Sequence, residues 1–338
     1  MRKLLSGLLL VLVILSLLAG GCGKASEQKA SESATVKKAA EESKGVDKDS
    51  GIMLGTATTG GFTYLWGTSA ATIVNNYSKV KLTPQITAGS GENITRILKG
   101  EMKLGVVGND WVNKYYHGIG VEAAKNLRTI YLTGPSVFHI IVRADSPYKS
   151  IYDLKNKKVA IGNKGGGTYE ANKEILEALG IGENGIKAQY LSQNESVEAL
   201  RNKMIDGWLV NAIAPMSGAQ EAATMPGGVR FLSVSEEDIQ KVLKALPYYE
   251  ETILKAGTYA GLDNDIRCFG RRYTLLATED FPEGQAYEIA KALHENYDEW
   301  IKVLSSVKGS TLEDTVKRAI APLHPGVEKY AREVGILK

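Results

Sequence analysis

The chain has 338 residues, of which 36 are glycine and two are cysteine, with 41 Lys and Arg set against 38 Asp and Glu for a formal net charge of +3. Its lysines are scattered among acids and not stacked with interleaved aromatics, which excludes a basic nucleic-acid-binding surface. Two cysteines are too few for a disulfide framework, so the fold must rest on its hydrophobic core.

In chain order, Met1-Arg2-Lys3 precedes an apolar run from Leu4 to Leu18 broken only by Ser6, Gly7 and Ser16, and Ala19-Gly20-Gly21-Cys22 comes next. A basic head, a short apolar run and a small-residue exit make a signal peptide. The run is too brief for a membrane helix of about 20 apolar residues. The segment resembles a bacterial lipoprotein signal, with residues 1–21 removed and Cys22 left as the lipid-bearing N-terminus, although Ala19 stands where leucine is usual. From Lys24 to Ser50 the chain is mostly Lys, Glu, Ser, Ala and Asp, with Val36 and Val46 the only larger aliphatics. Such a segment buries too little apolar area to offset chain entropy, so residues 22–50 read as a disordered tether. Loss of Arg2 and Lys3 with the signal leaves a net charge of +1, and Cys268 then has no intramolecular partner.

From residue 51 onward short aliphatic strands alternate with helices, the pattern of an α/β fold with covered parallel sheets. Strands are expected at Ile52–Gly55, Lys81–Ile86, Lys103–Val107, Leu127–Leu132, His139–Val142, Lys158–Ile161 and Lys187–Leu191. Helices are expected from Thr63 to Asn76, from Ser90 to Lys99 with Ile94, Ile97 and Leu98 on one face, from Thr168 to Leu179 with Gly180 as the stop, and from Gly284 to Trp300. The strand His139–Arg143 followed by Asp145-Ser146-Pro147 reads as a departure to a second lobe, with the return near Arg271-Arg272. The expected organisation is therefore lobe 1 at residues 51–143 plus 272–338 and lobe 2 at 144–271, joined by two crossover segments with a ligand cleft between them.

Three glycine-rich turns each lie between a strand and a helix: Thr56 to Gly61, Ala88 to Asn93, and Gly162 to Thr168. Glycine lets the backbone approach a ligand, and the succeeding helix offers unpaired N–H groups at its positive end, so each turn is a possible seat for a carboxylate or phosphate, or simply a tight turn. Sharper phosphate motifs fail. Thr168 and Tyr169 stand where a P-loop needs lysine and Ser or Thr, and no acid lies between residues 51 and 91 to hold a dinucleotide ribose. No nucleophile elbow or His-Glu-x-x-His occurs, and His117, His139, His294 and His324 show no metal-ligand spacing. No catalytic residue, cofactor or metal is expected. Tyr64, Trp66, Trp111, Trp208 and Tyr259 lie near predicted strand ends, as pocket walls or as core.

At Gly55-Thr56 through Thr59-Gly60-Gly61 with Tyr64 and Gly67, at Ala88-Gly89-Ser90-Gly91-Glu92-Asn93, at Asp110, at His139–Ser146 and at Leu323-His324-Pro325-Gly326, the chain resembles the TAXI-type solute receptors of TRAP transporters. Asp153-Leu154, Gly165–Thr168, Ile205-Asp206, Pro215 and Gly257-Thr258-Tyr259 continue the likeness over nearly the whole globular part. The resemblance implies a periplasmic-binding-protein fold of type II, in a monomer that closes on a small organic acid such as glutamate and docks to an ion-gradient-driven TRAP permease, outside the membrane and held to it only by lipid. It places Thr59, Gly60, Tyr64, Ser90, Asn93, Asp110, Gly166, Gly167, Thr168, Pro215 and Tyr259 near the ligand, with Thr63 where the first helix opens. Gly108 replaces the family's usual glutamine and Gly166 its serine, while Trp208, Asn211 and Ile213 replace small residues before Pro215. The pocket is expected to favour a smaller or more apolar acid than glutamate, with Asn109 partly restoring the lost amide. Two alternatives are a surface lipoprotein that works by protein contact and an enzyme on the same fold using Cys268 or Asp110.

Overall fold

The computed structural model describes residues 51–338 apart from Thr58, Gly60 and Gly165; the expected signal, Cys22, the tether and Gly60 of the first turn lie outside the described residues. The chain alternates β1 (Ile52–Gly55), α1 (Phe62–Tyr77), β2 (Leu82–Gln85), α2 (Ser90–Leu98), β3 (Leu104–Gly108), α3 (Asn109–His117) and β4 (Leu127–Leu132). It then runs through β5 (Val137–Arg143), β6 (Lys158–Ala160), α4 (Gly167–Ala178), β7 (Lys187–Gln189), α5 (Gln193–Arg201), β8 (Gly207–Ala212), α6 (Ser217–Thr224) and β9 (Val229–Phe231). After α7 (Glu236–Ala245) come the antiparallel pair β10 (Tyr249–Leu254) and β11 (Ile266–Arg271), then β12 (Tyr273–Thr278), α8 (Glu283–Glu295), α9 (Tyr297–Val303), α10 (Leu312–Arg318) and α11 (Pro325–Glu333).

The first sheet has the order β2-β1-β3-β12-β4 and the second β7-β6-β8-β5-β9. These are one pattern used twice, with a crossover strand, β12 or β5, inserted antiparallel beside the third strand. Two such lobes are the α/β fold of the type II periplasmic binding proteins, as expected. One core gathers residues from Val137 to Phe269. The others draw on residues before 133 and after 274.

Two expectations change. β5 pairs with β8 and β9, so residues 137–143 belong to the second sheet and the first crossing runs through Thr133–Ser136, not past Arg143. The strand is apolar and buried on both faces, so its composition gives no sign of which sheet it joins. The helix expected from Gly284 to Trp300 is broken at Asn296, where φ is −111° and ψ 29°; there the Asn296 side chain donates to the Ala292 carbonyl at 2.9 Å in competition with the helix ladder. The last turns close back on α1: Trp66 and Trp300 pack at 5.2 Å, and their indoles donate to Ser310 and Ser69 at 3.1 and 2.8 Å.

The two crossings bind each other. Both the N–H and the hydroxyl of Ser136 donate to the Arg271 carbonyl at 2.8 Å, the Arg271 N–H donates to Ser136 Oγ at 2.9 Å, and the Tyr273 N–H donates to Thr133 Oγ1 at 2.9 Å. Gly270 is required at this approach, because a Cβ there would meet the Ser136 carbonyl oxygen at 1.7 Å. Tyr273 lies level with Gly108 at the end of β3, and Val137 with Ala212 at the end of β8. The chain therefore crosses at the carboxyl ends of both parallel strand sets. Ligands of open α/β sheets bind outside that edge.

Candidate functional site

At that edge four helices begin on glycine. The N-caps of α1, α2, α3 and α4 are Gly61, Gly89, Gly108 and Gly166, and none carries a side-chain cap. By contrast α5, α7, α10 and α11 are capped by Ser192, Ser235, Thr311 and His324. The starts lacking a side chain leave backbone donors and the positive helix ends facing the cleft, apart from the first N–H of α3, which the Arg272 carbonyl takes.

On the first lobe, Ser90 accepts from the Gly108 N–H at 2.9 Å. Asn109 accepts from the Thr274 hydroxyl at 2.7 Å, and its N–H donates to the Arg272 carbonyl at 3.0 Å, fastening α3 to the returning chain. Asp110 forms an ion pair with Arg271, the two side chains 11 and 5 % exposed. Burial opposes the Arg271 charge, but Asp110, aided by Tyr249 and Tyr273, outweighs it and holds the guanidinium above its ordinary range. Gly108 makes the pair possible: a Cβ there would meet Asp110 Oδ1 at 2.3 Å. Thr59 is exposed, while Thr63 and Tyr64 at the opening of α1 are half-buried.

Asn93, expected at the ligand, is fully buried and serves the fold. Its amide donates to the carbonyls of Thr56 and Val106 at 2.8 and 3.0 Å, tying α2 to β3 and the end of β1. Asn172 on α4 does the same in the second lobe, reaching Ile161 and Leu209 at 3.1 and 2.8 Å. Tyr259 is buried as well and also serves the fold. Its ring stacks on Phe231 at 4.9 Å, and its hydroxyl accepts from the Met216 N–H at 3.0 Å and meets His139 Nε2 at 3.0 Å. The His139 Nδ1–H donates to the Val137 carbonyl at 2.8 Å, which leaves Nε2 as acceptor for the Tyr259 O–H. Burial pushes His139 down to about 4. Tyr259 therefore props the turn after Pro215, itself exposed.

On the second lobe, Gly166, Gly167 and Thr168 line a cavity of about 230 Å³ with Trp208, Val210 and Gln193. Nearer the crossing, the Tyr248 hydroxyl donates to Glu174 at 2.6 Å and Asn211 donates to the Tyr249 hydroxyl at 3.3 Å. Burial raises the Glu174 carboxyl; the Tyr248 hydrogen bond opposes this, Asp110 adds to it and Arg271 opposes it. A second cavity, of about 260 Å³, lies between Asn109, Tyr248, Tyr249, Glu250, Arg272 and Arg318. Arg271, Glu174, Tyr248 and Tyr249 stand outside every motif of the sequence; the one signal for them is an Arg-Arg pair at a lobe crossing, where a buried charge demands a partner. Cys268 is buried with its thiol pushed up to about 12 by desolvation, which removes the thiolate a nucleophile needs.

The fold is that of a two-lobed α/β protein with glycine-started helices along the edge where its chain crosses between lobes. The chain belongs to the NMT1-like family, whose model matches residues 54–335. Among solved structures it is similar to the periplasmic aliphatic sulphonate binding protein SsuA from Escherichia coli, at 16% identity over 85% of this chain and 91% of that one, TM-score 0.45. It is also similar to a putative sulfonate ABC transporter periplasmic sulfonate-binding protein from Methylobacillus flagellatus, at 15% identity over 86% and 89% of the chains, TM-score 0.48. A third is a TctC solute binding protein from Polaromonas, at 16% identity over 81% and 89%, TM-score 0.48.

Proposed function

We propose that the protein is an extracytoplasmic solute-binding lipoprotein of TAXI type, anchored through Cys22, which captures a small organic acid between its lobes and delivers it to a TRAP permease. The observation that carries the reading is the set of four glycine-started helices, α1 to α4, opening without side-chain caps onto one cleft from both lobes. They offer neutral donors with a positive potential, the complement of a carboxylate. The Asp110–Arg271 pair is internally neutralised and leaves that task to the backbone. Thr59, Thr63, Tyr64, Ser90, Asn109 and Asp110 form the first-lobe side of the proposed site, and Gly166, Gly167, Thr168 and Pro215 the second-lobe side.

The test is to denature the purified full-length chain and identify any released small molecule by mass spectrometry, alongside thermal melts with glutamate, pyruvate and branched keto acids. An acid recovered in near-stoichiometric amount, with the melting temperature rising with its concentration as linkage requires, supports the reading. Absence of any released molecule, together with melts that no acid moves, overturns it in favour of a role in protein contact. Tighter binding of glutamate than of keto acids sinks the expectation of a smaller ligand.

A further inference from the structure

Resting on the solute-binding reading and deepening it, we propose that Trp208 makes the second-lobe half of the cleft an oxyanion pocket, its indole N–H receiving the charged head of the ligand together with the open start of α4. Trp208 stands on β8 and is 2 % exposed. It lines the cavity of about 230 Å³ beside Gly166, Gly167, Thr168 and Gln193. The other fully buried tryptophans, Trp66 and Trp300, both donate to serine hydroxyls. Trp208 differs: among the described residues its indole has no hydrogen-bond partner. Its Nε1 is not one of the sealed, unpartnered atoms of the core, so in a side chain otherwise buried it keeps access to open space, and an indole N–H can only donate. Its complement is an oxygen carrying lone pairs.

Three further features select a charged oxygen. The 12-residue helix α4 begins at Gly166 without a side-chain cap, so its positive end opens on the same space. Among the described residues no carboxylate lines the cavity, which disfavours an ammonium or a metal ion there. The neighbouring α5 is already satisfied, with Ser192 and Glu195 forming a reciprocal capping box, so it does not compete. A space of about 230 Å³ suits a compact planar or tetrahedral oxyanion head such as carboxylate or sulfonate.

The experiment is a proton–nitrogen NMR titration of the full-length protein labelled at tryptophan nitrogen, with sodium acetate, sodium sulfate and neutral acetamide as probes. W208F removes the N–H, keeps an aromatic ring and assigns the resonance by its disappearance; if that variant does not fold, contacts to Val210 assign it in the native protein. The expected result is a saturating downfield shift of the Trp208 indole proton with acetate or sulfate and none with acetamide, while the Trp66 and Trp300 signals stay still. W208F is expected to bind the same anion about tenfold more weakly, as loss of a hydrogen bond to a charged group implies. An indole signal indifferent to both anions, or equally moved by acetamide, overturns the proposal. If pyruvate or another acid still raises the melting temperature in that case, solute binding stands and only this pocket assignment falls; if none does, both fall.

Discussion

Gly108, Asp110 and Arg271 form a unit in which the smallest residue makes room for the carboxylate that neutralises a buried guanidinium. Asp110→Asn keeps the shape and removes the charge, leaving Arg271 uncompensated; the expected loss is about 3 kcal/mol by chemical denaturation. Gly108→Ala should destabilise the native protein clearly but the Asp110→Asn variant much less, because the two residues act through one contact. His139 gives a second residue-scale prediction. Its folded value of about 4 lies below the ordinary 6.5, so between these values the unfolded chain binds the extra proton. Stability therefore falls as the pH drops through this window, by roughly 3 kcal/mol in all. His139→Gln should flatten that part of the stability–pH curve whatever its effect at pH 7; His324, also lowered chiefly by burial, contributes with the same sign in both proteins and drops out of the difference. Asn93 and Tyr259 show where single-residue reading stops. Both stand beside glycine turns or in a family motif, yet the Asn93 amide nitrogen and the Tyr259 hydroxyl are engaged by Thr56, Val106, Met216 and His139, partners up to 120 residues away in sequence that no local pattern reveals.

At the scale of elements, the strand–turn–helix units were the legible part, because aliphatic runs, glycine turns and helix faces are all local signals. β1 and β4 fall where expected, and α1, α2 and α4 within a residue or two. β8 to β11 carry no such local signal. Gly207–Ala212 and Ile266–Arg271 mix glycine, tryptophan and arginine with aliphatics, and their strand character comes from pairing with partners distant in the chain. The open start of α4 can be tested at Gly166, whose φ of −87° and ψ of 152° already suit an N-cap side chain. Gly166→Asp adds the missing cap and complements the helix dipole, worth up to about 1 kcal/mol, against a Cβ contact of 3.0 Å with the Asn163 carbonyl oxygen, so the ligand-free protein should stay within about 1 kcal/mol of the native one. The same carboxylate occupies the anion seat, so an acid that stabilises the native protein should no longer raise its melting temperature. Equal ligand-induced shifts in both proteins would remove α4 from the site.

At the scale of the whole molecule, opening and closing act through the two crossings and whatever ties the lobes beside them. Glu250 on β10, in the second lobe, pairs with Arg318 of α10 and with Arg272 at the return crossing. Arg272 also meets Asp314 of α10 at 3.0 Å and donates to the Thr133 and Gly309 carbonyls at 2.9 and 3.1 Å. One carboxylate from the second lobe thus closes a network otherwise built from the first lobe and the crossing. Arg272 is only 5 % exposed on its side chain, so salt screens this pairing far less than a surface pair. Glu250→Gln keeps the volume and removes the charge while Asp314 still neutralises Arg272, so the expected stability loss is moderate, on the order of 2 kcal/mol. The larger effect is conformational, because the pairing favours the lobe arrangement in which it forms, and its loss releases the alternatives. Spin labels at Ile86 and Met204, 62 and 64 % exposed on opposite lobes, with Cys22 replaced by serine, should report a broader interlobe distance distribution in the variant. Added salt should broaden the native distribution much less. A distribution indifferent to the substitution would reduce Glu250 to a fastening for α10 and leave the lobe equilibrium to the crossings alone.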